Sequence, residues 1–113
     1  MIDVQRKALA ASITSWREKV VLHDRGLSYE TGMDSCACCQ AFYKEEEPEP
    51  CYGCPIYEYT NQNYCRGTPY EAVTEKGLHP RNMLKWLQKL SGGGSPRIYS
   101  EQSRDPREIS FAD

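Results

Sequence analysis

The chain has little of several things, and each shortage excludes a class of protein. Of its 113 residues only His23 and His79 are histidines, too few for an imidazole-rich catalytic metal site with carboxylate support. No apolar run approaches the ~20 residues of a membrane span. The opening Met1-Ile-Asp-Val-Gln-Arg-Lys7 lacks an apolar stretch of signal-peptide length, so the expected location is cytosol. There is no phosphate-cradling glycine loop followed by Lys and Ser/Thr, no paired Cys and His for nucleophilic catalysis, and no Ser/His/Asp order. These gaps leave no enzyme class with positive support. Excess positive charge is missing as well. The net charge is −2, which argues against a general affinity for nucleic acid.

What is present is concentrated. All six cysteines fall between Cys36 and Cys65, as Cys36, Cys38, Cys39, Cys51, Cys54 and Cys65. A hydrophobic content of 39%, with a polar C-terminal tail, leaves a core of about eighty residues, small enough to need a staple. In a reducing compartment such a cluster reads as metal-binding rather than as three disulfides. Two Cys-x-x-Cys pairs, Cys36-Ala-Cys-Cys39 and Cys51-Tyr-Gly-Cys54, have the form of two knuckles closing one tetrahedral site, with Gly53 allowing the tight turn.

The candidate metal ligands are therefore Cys36, Cys39, Cys51 and Cys54, with Cys65 a rival for the fourth place. Cys38, between knuckle residues, is expected to point away. The expected cofactor is structural Zn²⁺. The alternative is an iron–sulfur cluster, for which Cys54-Pro55 is the cue, since four thiolates hold either.

Around this module the pattern is helical. Ile2, Leu9, Ile13, Trp16 and Val20 recur on one face of a proline-free and glycine-free stretch, and His23-Asp24-Arg25-Gly26 supplies a stop, predicting a helix over 1–25 with Trp16 as a core anchor. Thr68-Pro69-Tyr70-Glu71 has the form of a capping box with proline in the first turn. Gly77 then ends that helix, and Pro80 opens another carrying Met83, Leu84, Trp86, Leu87 and Leu90. A short extended piece is expected near Ala41–Tyr43, and Lys44-Glu-Glu-Glu-Pro-Glu-Pro50 reads as a solvated, proline-broken loop.

The expected architecture is a small α-rich, metal-stapled domain over 1–91. A long N-terminal helix packs on a C-terminal helix, helices occupy 68–91, and an irregular zinc-knuckle module spans 36–70. Residues 92–113, beginning Gly-Gly-Gly-Ser-Pro, read as a flexible linker and tail.

Charge is divided unevenly. Between 31 and 65 a single base, Lys44, faces Asp34, Glu45, Glu46, Glu47, Glu49 and Glu58, whereas Arg66, Lys76, Arg81, Lys85 and Lys89 follow the last cysteine. An acidic module is poorly suited to docking on phosphates. A basic stripe on the last helices keeps an accessory nucleic-acid role as a lesser alternative. Tyr43, Tyr52, Tyr57, Tyr59, Tyr64 and Tyr70 suit a protein interface, with several needed to cover the metal site.

Ser15-Trp16-Arg-Glu, Cys36-x-x-Cys39 with Phe42, Cys51-x-Gly-Cys54-Pro55-Ile56, Thr60 and Cys65-Arg-Gly-Thr-Pro-Tyr70 together resemble small cysteine-rich proteins encoded by tailed bacteriophages and prophages. The resemblance covers residues 12–90. It implies a viral origin and a metal-type scaffold with Cys36, Cys39, Cys51, Cys54 and Cys65 as the matching cysteines, and it carries no activity. Cys38 and the acidic segment 44–50 depart from the pattern. The functional expectation is a zinc-binding viral protein that contacts a host or phage protein in the host cytoplasm, or a virion component.

Overall fold

The computed structural model describes residues 1–30, 37–44, 48, 51–62 and 65–98, with the backbone alone for Ala37 and Cys39. Among the described residues five helices follow one another: α1 Asp3–Asp24, α2 Ala37–Phe42, α3 Pro55–Thr60, α4 Tyr70–Lys76 and α5 Arg81–Ser91. There is no strand among the described residues. None of these helices is long and apolar enough to cross a membrane.

The central element is α1, which packs against α5, α2 and α3. Its buried positions are Gln5, Ala8, Leu9, Ser12, Ile13, Trp16 and Lys19, a stripe of three- and four-residue spacings. Leu9, Ile13 and Trp16 lie where their periodicity predicts, and Trp16, 2% exposed, anchors the core.

The ends of the expected stripe differ. Ile2 is 64% exposed because it caps the helix, its backbone N–H donating to Gln5 Oε1 at 3.0 Å, and its side chain lies before the first inward-facing turn. Lys19 takes the buried slot at the other end, next to half-buried Val20. Its Nζ donates to Ser15 Oγ at 2.7 Å and sits 5.1 Å from the centre of the Trp16 ring, so the long stem covers apolar surface while the ammonium keeps polar and π partners.

The predicted stop is present. Gly26 N–H donates to the His23 carbonyl and Leu27 N–H to that of Leu22, at 3.0 and 2.9 Å, the paired bonds of a Schellman ending.

On the facing side α5 buries Met83, Trp86, Leu87 and Leu90, which join Leu9, Ile13 and Trp16 in one cluster. Each Leu in that cluster contributes about 1.5–3 kcal/mol by leaving water. Ring contacts extend it: Trp16 meets Tyr70 edge-on at 6.3 Å, and Trp86 meets Tyr59 at 5.7 Å.

The capping box before α4 forms only in half. Thr68 Oγ1 accepts the Tyr70 N–H at 3.1 Å. The Thr68 N–H, however, goes to the Cys65 carbonyl at 3.3 Å, while Glu71 stands 3.9 Å from Arg66 Nε. Gly77 ends α4 in a left-handed conformation as predicted.

The segment after α5 departs from the expected linker. Gly93 N–H and Gly94 N–H return to the carbonyls of Leu90 and Lys89, and the chain doubles back with Pro96 buried. Tyr59 OH donates to the Pro96 carbonyl at 2.6 Å and Trp86 Nε1 to that of Arg97 at 2.7 Å. A buried indole and a half-buried phenol each need an acceptor, and residues 94–98 supply both as a strap. The rest of the expected tail, residues 99–113, lies outside the described residues.

Candidate metal centre

Three chain segments bring cysteines to one place. The first is the turn Cys51–Cys54, closed by Cys54 N–H donating to the Cys51 carbonyl at 3.0 Å. Gly53 occupies the position with φ +93, which L residues avoid and a type II turn requires. A Cβ there would also lie 3.3 Å from Phe42 Cδ1. Cys54 is extended and caps α3, with Pro55 at the first helical position, where its missing N–H costs nothing. The Cys54-Pro55 step thus has a structural explanation as a helix start.

The second segment is the Cys65–Thr68 turn. Cys65 has φ +58, a left-handed conformation costing a non-glycine residue about 1–2 kcal/mol. It is held there by Thr68, whose Oγ1 donates to the Cys65 carbonyl at 2.6 Å. Gly67, φ +86, is wedged between α3 and the strap: a Cβ would meet Thr60 Cβ at 3.2 Å and Ile98 Cγ2 at 3.1 Å. Thr60 is itself fixed, its hydroxyl donating to the Ile56 carbonyl at 2.9 Å.

The third segment is α2, which packs on α1. Its Cys38 is 0% exposed. Cys38 and Phe42, four residues apart on one helix face, both look onto the cavity the other segments border.

That cavity, about 10 Å³, is lined by Cys38, Cys51, Cys54 and Cys65 with apolar and aromatic neighbours, including Phe42 and Tyr57. It is the size of a single water or ion. All four cysteines are buried and none is in a disulfide. Among the described residues no carboxylate or imidazole lines the cavity. Among the described residues no three Cys, His, Asp or Glu side chains stand close enough together to hold a metal ion as they are placed. The thiols border a common space without being gathered onto one point.

Of the five ligand candidates from sequence, Cys51, Cys54 and Cys65 come together on this cavity. Cys36 and the Cys39 side chain lie outside the described residues. Cys38, expected to point away, lines the cavity instead. That expectation assumed a knuckle turn and an extended piece near Ala41–Tyr43, whereas Ala37–Phe42 is a helix. The available signal was the run Ala37-Cys-Cys-Gln-Ala-Phe42, free of Gly and Pro, in which Cys38 and Phe42 share a helical face.

The tyrosines divide. Tyr57 is buried, and Tyr43, Tyr59 and Tyr70 are packed against the core. Tyr52, at the tip of the Cys51–Cys54 turn, is 72% exposed, with its ring 6.1 Å from that of Tyr57. Tyr64 and Glu45, Glu46, Glu47 and Glu49 lie outside the described residues.

Both histidines have ordinary work at the far end of α1, about 27 Å along the axis from Gln5 at 1.5 Å per residue. Arg81 N–H donates to His79 Nδ1 at 3.1 Å, which leaves Nε2–H to donate to Asp24 Oδ1 at 2.8 Å. The His23 ring packs edge-on to His79 at 4.4 Å and to Tyr29 at 6.0 Å. Burial pushes the Tyr29 phenol above its ordinary value of 10.0.

Compared with family models, curated proteins and solved structures, the chain matches none.

Proposed function

We propose that this chain is a small zinc-stapled protein that works by presenting a surface to a protein partner. The observation that carries the reading is the convergence of buried thiols from three chain segments on one ion-sized cavity. An all-thiolate set suits soft or borderline metals and makes a closed, structural site, whereas catalytic zinc keeps a water position and usually a histidine or carboxylate. Zn²⁺ held here would tie the Cys51–Cys54 and Cys65–Thr68 turns together and supply part of the folding free energy of a domain with a small core.

Function then lies on the display side. Tyr52 projects from the tip of a turn that the metal would make rigid, and an exposed aromatic on a fixed turn suits a protein contact. The resemblance to phage proteins favours a host or phage protein as the partner and the host cytoplasm as the setting.

Elemental analysis of the purified chain tests the scaffold. One zinc per chain, with loss of helix signal on chelation, is expected. A metal-free folded protein removes the reading, and iron with visible absorbance replaces zinc by a cluster. The display side is tested by retention of a host or virion protein on the immobilised chain. Retention that survives Tyr52→Arg unchanged rules out that surface.

A further inference from the structure

We propose that the first cysteine run contributes Cys38 to the metal site, completing a set of Cys38, Cys51, Cys54 and Cys65. This rests on the metal reading above and specifies its ligands. Cys38 is the most deeply buried of the described cysteines, and it lines the cavity together with the other three. Its position follows from a helix, not a knuckle. Within α2 the residues Cys38 and Phe42 share the cavity face, and Phe42 is fixed against Gly53 of the Cys51–Cys54 turn. The contact that places Phe42 therefore also registers Cys38 against Cys51 and Cys54.

As placed, the four thiols are not gathered on one point, so loading must reorient them. A thiol moves by stepping between staggered χ1 rotamers, and the backbone segments that carry the four sulfurs already border one space. Loading the site consumes one Zn²⁺, releases the protons of the thiols that become thiolates, and leaves a formal charge of −2 on a four-thiolate centre. The metal then links α2, and through it α1, to the Cys51–Cys54 turn and the Cys65–Thr68 turn. Cys36 and Cys39 are dispensable for binding.

The decisive measurement uses the full wild-type chain loaded with ¹¹³Cd²⁺. A proton–cadmium correlation through the Cβ protons identifies each ligand cysteine directly, without any variant that must fold. Correlations from Cys38, Cys51, Cys54 and Cys65 are expected. Correlations from Cys36 or Cys39 in place of Cys38 overturn the proposal and leave the metal reading standing. A chain that takes up neither cadmium nor zinc overturns both.

Co²⁺ titration adds a second readout. Cys38→Ser should weaken binding by at least about 10-fold, the lower bound seen even for groups that only support a ligand, and should reduce the sulfur-to-cobalt charge-transfer band. Cys36→Ser and Cys39→Ser should leave both unchanged. Wild-type binding and an unaltered band in Cys38→Ser argue against Cys38 in the same way.

Discussion

Gln5 Nε2 donates to the Gly53 carbonyl at 2.9 Å across 48 residues of sequence. Gln5 is buried, and its Oε1 accepts the Ile2 N–H, so one amide side chain caps the start of α1 and fastens the Cys51–Cys54 turn to it. Replacing Gln5 by leucine keeps the volume and removes both bonds. A loss of about 0.5–1.5 kcal/mol per bond is expected, both bonds being only partly buried. For a domain of this size each kcal/mol lowers the melting temperature by about 4–8 °C. Thermal unfolding of Gln5→Leu against wild type checks this, and equal melting temperatures would sink it.

Gly53 offers a test that separates strain from crowding. Gly53 and Gly77 both have positive φ, +93 and +75, but a Cβ at Gly77 meets open space while one at Gly53 presses on Phe42. Gly77→Ala should therefore cost only the backbone strain, about 1–2 kcal/mol. Gly53→Ala should cost more. The excess should shrink in Gly53→Ala/Phe42→Leu, where the ring is gone, so that the two changes are non-additive in a double-mutant cycle. Simple additivity would show that Phe42 does not press on the turn.

How much of this was legible in the sequence follows the range of the forces involved. The α1 ending at Gly26, the α4 stop at Gly77 and the inward faces of Leu9, Ile13, Trp16, Leu87 and Leu90 rest on local conformation and helical period, and the residues state them directly. The inward turning of Cys38 was missed because a six-residue helix carries too little periodicity to outweigh the Cys-x-x-Cys pattern. Lys19 was hidden by its charge, although its partners Ser15 and Trp16 lie only four and three residues back on α1. Gln5 was hidden for a different reason: its partner, Gly53, is 48 residues away and is set by tertiary packing. The same holds for the strap, whose Gly-Gly-Gly-Ser-Pro lead-in is a linker by composition, while its Pro96 and Arg97 carbonyls are claimed by aromatics far back in the chain.

The strap should be felt through those two carbonyls. Tyr59→Phe removes the hydroxyl that bonds Pro96 and should cost about 0.5–1.5 kcal/mol. Removing residues 94–113 takes away both acceptors and the Ile98 contact beside Gly67. Trp86 should then become more solvated. A red-shifted tryptophan emission and a stability loss larger than that of Tyr59→Phe are expected from the truncated chain. Unchanged emission would mean that residues 94–98 do not cover Trp86 in solution.

Thr68 links the fold to the candidate site most directly. Its hydroxyl donates to the carbonyl of left-handed Cys65 and accepts the Tyr70 N–H at the start of α4, so the same oxygen holds a thiol-bearing turn and a helix end. Thr68→Val preserves shape and deletes both bonds. Loss of the cap alone costs about 0.5–2 kcal/mol, and release of Cys65 from its strained φ should add a fall in metal affinity. Thr68→Ser keeps the hydroxyl and should restore both stability and affinity. The two readouts divide the roles: chemical unfolding reports the helix cap, and competition for Zn²⁺ against a chelator reports the Cys65 turn. If Thr68→Val loses stability but holds zinc as tightly as wild type, the turn geometry of Cys65 does not depend on Thr68.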